Sequence, residues 1–111
     1  MNEIKPYVKC VLAKKSGFFG PGGARLLEYI KHCGSVKEAS YEMGVSYSKA
    51  WKLIYKMEKE LNLKVIERTA GGKNGGASSL TSDAEEFLKK FRLYEKEVKK
   101  SAEKIYKDIF E

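Results

Sequence analysis

Apolar and polar positions alternate over residues 4–14, where Val8, Cys10 and Leu12 interleave with Lys9 and Val11. That period of two, with Tyr7, Val8 and Val11 as β-formers, predicts one half-buried strand. Pro6 near its start places it at a sheet edge. The turn-rich run "SGFFGPGG", 16–23, ends it. The period then lengthens. Leu26, Leu27 and Ile30 share one helical face, predicting a helix over about 24–33 with Gly34 as its stop.

Residues 34–62, "GSVKEASYEMGVSYSKAWKLIYKMEKELN", hold two helical patterns separated by a short break. Ser35 and Glu38 form an S-x-x-E capping box, so a helix starts at about 36. Gly44 after Met43 supplies the left-handed residue that ends it. Ser46 can cap the next helix, in which Ala50, Leu53, Ile54, Met57 and Leu61 recur at three- and four-residue spacing. Helix, three-residue break at 44–46, helix is the outline of a helix-turn-helix unit. Such a unit needs small residues where the helices cross, which Ala39 and Ser40 provide. It also needs apolar inner faces, met by Met43, Val45, Ala50 and Leu53. An ordinary helical hairpin shares the apolar spacing but does not require small residues, glycine and cap in this register.

The run "LKVIER", 63–68, predicts a strand, and "SSLT", 78–81, a returning strand. The glycine-rich stretch between them makes the pair a wing behind the helix-turn-helix. Thr81 or Ser82 then caps a last helix, 82–110, whose first turn carries Asp83, Glu85 and Glu86. Ala84, Phe87, Phe91, Tyr94 and Val98 form its expected apolar stripe, continued by Ile105 and Ile109. At 1.5 Å per residue that helix is roughly 40 Å long and outreaches a small domain. Its far end is expected to pack on a second copy, giving a homodimer through the first and last helices. Folding back onto the chain's own strand is the alternative. The fold class expected is α+β, mainly α. A winged helix-turn-helix over 1–81 carries a C-terminal helix over 82–111 within one domain.

The residues from Leu26 to Leu88 resemble a known pattern. "VSYSKAW", Val45 to Trp51, and the wing "ERTAGGKNGGASSLT", Glu67 to Thr81, are similar to the DNA-binding domain of LysR-type and, more closely, ModE-type (molybdate-responsive) transcription regulators. Arg68, Gly71, Gly72, Gly75, Gly76, Leu80 and Thr81 match the family's Gly-rich wing run without a gap. Thr69 and Ala70 stand in the reverse of the usual order, and Asn74, Ala77 and Ser78 replace residues that are usually Gly, Gly and Ala. The resemblance implies a winged-helix regulator of prokaryotic cytoplasm. Molybdate sensing in the family belongs to C-terminal modules beyond the long helix. No cofactor is therefore expected for these 111 residues, and a separate effector-binding protein is a possible partner.

Charge sharpens this picture. The chain carries a formal charge of +7, which favours an acidic partner. Between Gly44 and Gly76, Lys49, Lys52, Lys56, Lys59, Lys64, Arg68 and Lys73 face only Glu58, Glu60 and Glu67, a surplus of four positive charges. The tail helix is also lysine-rich, but Glu85, Glu86, Glu95, Glu97 and Glu103 interleave there, as on a solvated face. No apolar run approaches the ~20 residues of a membrane span. Cys10 and Cys33 lack a CxxC spacing, and His32 is the only histidine, so reduced thiols are expected and metal chemistry is disfavoured. His32 is placed near the end of a helix, where positive charge is tolerated.

The stretch "AGGKNGG" first suggests a nucleotide phosphate cradle. A P-loop, however, requires G-x-x-x-x-G-K-[ST] opening a helix, and here Asn74 follows the lysine. No G-x-S-x-G elbow is present, and no isolated carboxylate pair stands in an apolar segment. An enzyme is not expected. In a helix-turn-helix the second helix enters the major groove of duplex DNA, which places Ser46, Tyr47, Ser48, Lys49 and Lys52 at base edges. Lys56 lies one turn further on, suited to a phosphate. Arg68, Thr69, Lys73 and Asn74 of the wing are the expected grip on flanking phosphates. Trp51 is read as a core or wing-packing residue rather than a base-stacking one. The competing class is a protein-interaction module that uses the same surface to dock a partner.

Overall fold

The computed structural model describes residues 3–69 and 77–111. In chain order the elements are β1 (Leu12–Ala13), β2 (Gly17–Phe19), α1 (Pro21–Cys33), α2 (Val36–Met43), α3 (Tyr47–Leu61), β3 (Ile66–Thr69), β4 (Ala77–Leu80) and α4 (Ser82–Phe110). This is a mainly helical α+β winged helix-turn-helix.

The N-terminal expectation needs correction. Residues 3–11 form no strand, and only Leu12–Ala13 of the predicted run pairs, antiparallel with β2. The break assigned to 16–23 instead supplies that partner strand and the first turn of α1. The physical reason is Phe19. Its ring is 2% exposed and meets Phe87 and Phe91 of α4 edge-on, both at 4.8 Å between centroids. Burying a side chain of this size stabilises by about 1.5–3 kcal/mol, which outweighs the local turn preference of its glycine neighbours. Pro21 then begins α1, where its fixed φ and missing N–H cost nothing. The helix therefore starts three residues ahead of the expected Ala24.

The helix boundaries follow the capping chemistry. The Gly34 N–H donates to the Ile30 carbonyl at φ +72°, closing α1. Ser35 Oγ accepts from the Glu38 N–H at 3.1 Å to open α2. Gly44, at φ +70°, ends α2, and Ser46 Oγ accepts from the Lys49 N–H at 3.1 Å to open α3. Ala39, Ala50, Ile54 and Met57 are buried between the helices, while Met43, Val45 and Leu53 pack at their margin.

The wing is a two-stranded antiparallel sheet in which Ile66 faces Leu80, Glu67 faces Ser79 and Arg68 faces Ser78. Its strands are shifted from the expected 63–68 and 78–81. One backbone bond fixes it to the helical body, Ser78 N–H to the Gly34 carbonyl at 2.8 Å, and another, Thr81 N–H to the Val65 carbonyl at 3.0 Å, closes the base of the hairpin. Thr81 also donates its hydroxyl to the Lys64 carbonyl at 2.6 Å and accepts from the Ala84 N–H, so one side chain both closes the wing and caps α4.

Helix α4 buries Ala84, Leu88, Phe91 and Glu95, flanked by Phe87 and Val98. Tyr94, expected in the stripe, is exposed, and the acidic Glu95 takes the inward position beside it. The distal part of α4 leaves the body, and Ile105, Ile109 and Phe110 are exposed. The overall extents, 59 × 29 × 22 Å, reflect that projection. Among the described residues, no helix is long and apolar enough to cross a membrane. Cys10 is buried, Cys33 half-buried, and neither is in a disulfide. His32 lies in the last turn of α1, as its neighbours implied.

Candidate nucleic-acid interface

Helix α3 is amphipathic because Ala50, Ile54 and Met57 are drawn into the core. Everything opposite them must face outward. Ser46, Tyr47, Ser48, Lys49, Lys52 and Lys56 are all exposed there. Lys49, Lys52 and Lys56 stand at three- and four-residue steps, so their ammonium groups form one stripe along the helix. The serine at its head is already engaged: Ser46 Oγ accepts the Lys49 N–H. Its hydroxyl hydrogen remains available to an acceptor such as a phosphate oxygen.

The stripe has two flanks. On one side Lys56 and Leu53 border the β1–β2 hairpin, in a shallow groove that also includes Val11, Phe18 and Pro21. On the other, α3 and the wing enclose an open concavity of about 680 Å³ whose walls include Trp51, Tyr55, Lys64, Arg68 and Asp83. Glu58 and Glu67 stand at this wall with Asp83, and Glu58 Oε2 accepts the Val65 N–H at 2.9 Å. Lys64 and Arg68 thus face three carboxylates here, so the positive surplus of this region lies on the α3 stripe rather than in this concavity.

The structure brings together most of the residues expected at the site. Lys49, Lys52 and Lys56 lie along one face of α3, Ser46, Tyr47 and Ser48 are exposed at its head, and Arg68 lies beside the helix on β3. Thr69 is the last residue of β3. Lys73 and Asn74, with the glycines around them, lie outside the described residues. Trp51 does pack toward the wing: the Arg68 guanidinium carbon is 4.5 Å from the centroid of its ring. Tyr55 was not singled out from sequence, yet its ring stacks on Trp51 with centroids 5.3 Å apart. The signal was present as Tyr47, Trp51 and Tyr55 at four-residue steps on the flank of α3 between its buried face and its lysine stripe.

Comparison with known proteins agrees with this geometry. The family described as bacterial regulatory helix-turn-helix protein, lysR family, matches residues 23–85, more than half of the chain. The transcriptional regulator ModE of Haemophilus influenzae is 40% identical over 79 residues, which are 71% of this chain and 31% of that protein. The DNA-binding transcriptional dual regulator ModE of Escherichia coli is 32% identical over 76 residues, 68% of this chain and 29% of that protein. The molybdenum-pterin-binding protein MopA of Rhodobacter capsulatus is 30% identical over 97 residues, 86% of this chain and 36% of that protein. The chain thus spans about a third of the length of these curated relatives. The winged helix-turn-helix, the capped recognition helix and the match over 23–85 together establish that the chain belongs to the lysR family of bacterial regulatory helix-turn-helix proteins.

Proposed function

We propose that this chain binds duplex DNA sequence-specifically and acts in transcription regulation. Helix α3 enters the major groove, and the wing lies on the flanking phosphates. The observation that carries this reading is the exposed Lys49–Lys52–Lys56 stripe on a serine-capped helix, with Arg68 of the wing beside it. An α-helix fits the major groove, where lysine can reach guanine O6 and N7 and serine either a base or a phosphate. Lys56 and the wing residues Arg68, Thr69, Lys73 and Asn74 serve as phosphate contacts that set register without reading sequence.

The active unit is a homodimer joined through α1 and α4, in the cytoplasm of a prokaryote. Exposed Ile105, Ile109 and Phe110 on the projecting part of α4 support that pairing. Two copies place their α3 helices in successive major grooves, about 34 Å apart, on a two-fold-related site. No catalytic step and no cofactor is assigned to these residues. An effector, where one acts, is sensed outside the surfaces described.

Selection of bound duplexes from a random pool, followed by a salt series, tests the reading. Enrichment of a two-fold-related sequence and a log–log salt slope well below zero are expected. A slope near zero, or no enriched sequence, favours a protein-docking role for the same surface. Lys73→Ala should weaken binding to all sequences alike. A changed sequence preference would instead make the wing a base reader.

A further inference from the structure

The contact between Arg68 and Trp51 joins two elements that the DNA reading treats separately. Arg68 belongs to β3 at the base of the wing, Trp51 to the second turn of α3. Their rings and charge meet at 4.5 Å, well within cation–π range. Trp51 is further held by Tyr55, stacked at an interplanar angle of 30°, and by Tyr47, whose ring meets it edge-on at 6.4 Å. The indole Nε1 is buried and has no hydrogen-bond partner among the described residues. Contacts of its ring, not a bond from its N–H, hold the indole in place.

A guanidinium stacked on an aromatic face keeps its in-plane N–H donors available to a second partner. Among the described residues no carboxylate pairs with Arg68, whereas Arg92 is tied to two. Arg68 is also exposed. The stacking restricts a long, otherwise mobile side chain before any ligand arrives, which lowers the ordering cost of binding. Of the three aromatic side chains, indole offers the strongest face for this purpose.

We propose that Trp51 is a positioning residue for DNA binding: its ring holds the Arg68 guanidinium with its donor edge outward at the junction of α3 and the wing, where Arg68 clamps a backbone phosphate. This rests on the DNA-binding reading above and adds to it a residue that makes no DNA contact of its own. It also couples the wing to the recognition helix, so that the two dock on the duplex in one fixed relation.

The test uses the full chain and a random-sequence duplex across a salt series, so that only backbone contacts are read. Arg68→Ala should weaken binding several-fold and reduce the steepness of the salt slope by about one phosphate contact. Trp51→Leu removes no charge, yet should produce a similar loss of affinity and slope. Trp51→Phe, which keeps a π face, should retain both. The double variant Trp51→Leu/Arg68→Ala should bind no worse than Arg68→Ala alone. Should Trp51→Leu not fold by circular dichroism, Trp51→Met takes its place. Trp51 is the only tryptophan, so its emission reports the contact without DNA, and Arg68→Ala should shift it. Unchanged emission, an unaltered salt slope in Trp51→Leu, or losses that multiply in the double variant each overturn the role of Trp51. A wild-type chain that binds no duplex overturns the DNA reading as well, which separates the two failures.

Discussion

Arg92 of α4 holds Glu28 of α1 through two hydrogen bonds, Nε to Oε2 at 2.9 Å and Nη2 to Oε1 at 2.7 Å. Its third donor, Nη1, reaches Glu95 Oε1 at 2.6 Å. One planar guanidinium thus ties the first helix to the last and gives a buried carboxylate its partner. Such forked geometry suits arginine and not lysine. Because α1 also packs against α2, this clamp sets where α4 leaves the helix-turn-helix body.

The clamp predicts a pH dependence. The Arg92 hydrogen bond holds the Glu28 carboxyl below its usual range, against a smaller opposing effect of burial. A depressed carboxylate contributes stability above its unfolded value, and that contribution is lost as pH falls through the folded value. Glu28→Gln should therefore flatten the acid side of the stability profile. At neutral pH it should cost under about 1 kcal/mol, since the pair is partly solvated. Urea unfolding at pH 7 and in steps below the usual carboxylate range measures both effects.

Removing the other partner should cost more. Glu95 is 6% exposed, and Arg92→Leu leaves its carboxylate without a counter-ion. A loss on the order of 2–3 kcal/mol is expected, toward the lower end for broken buried pairs because Arg92 itself is partly exposed. Combining Arg92→Leu with Glu95→Leu should recover part of that loss. A double variant less stable than Arg92→Leu would show that Glu95 is not stabilised by this pair.

Two glycines should respond to alanine for different reasons. At Gly44 a Cβ meets nothing within 4 Å, so only the left-handed backbone opposes it. Gly44→Ala should cost about 1 kcal/mol, and Gly44→Asn less, because asparagine tolerates that conformation. At Gly23 the Cβ would lie 3.0 Å from Met57 Cε and 3.1 Å from Phe19 Cδ1. Gly23→Ala should cost about 1–3 kcal/mol through overpacking, unless Met57 repacks. Thermal melts of the three variants distinguish strain from crowding.

Thr81 should matter more than an ordinary cap. Ser46→Ala removes one N-cap bond at about 1 kcal/mol. Thr81→Ala removes the same kind of bond to Ala84, here buried, and, in addition, the part-buried link to the Lys64 carbonyl. Its loss should reach about 2 kcal/mol, with amide exchange rising at Ala84 and along β4. Equal losses in the two variants would show that the wing does not depend on Thr81.

The lysine stripe and the projecting helix give solution tests of the proposed function. Lys49→Ala should change which duplexes are enriched, whereas Lys56→Ala should weaken all of them and reduce the salt slope by about one contact. Ile105→Lys combined with Ile109→Lys should convert a dimer to a monomer in sedimentation while leaving helical content unchanged. A wild-type chain that sediments as a monomer at micromolar concentration would remove the dimer from the proposal.

Most helix boundaries were legible in the chain itself, whereas the strand boundaries were not. Ser35, Ser46 and Thr81 open helices, and Gly34 and Gly44 close them, because a cap satisfies backbone groups within three or four residues. The helical spacing of Ala50, Ile54 and Met57 likewise marked the buried face of α3, and so its exposed lysines. The contacts that join distant residues were not legible. Leu12–Ala13 pairs with Gly17–Phe19 because Phe19 finds Phe87 and Phe91 some seventy residues later. Glu95 turns inward in place of Tyr94 because Arg92, itself held across the helices by Glu28, can neutralise it there. Trp51 meets Arg68 only once α3 and the wing have docked. Caps and periods arise from neighbours along the chain, whereas burial, charge pairing and stacking depend on which surfaces meet, and only the tertiary structure decides that.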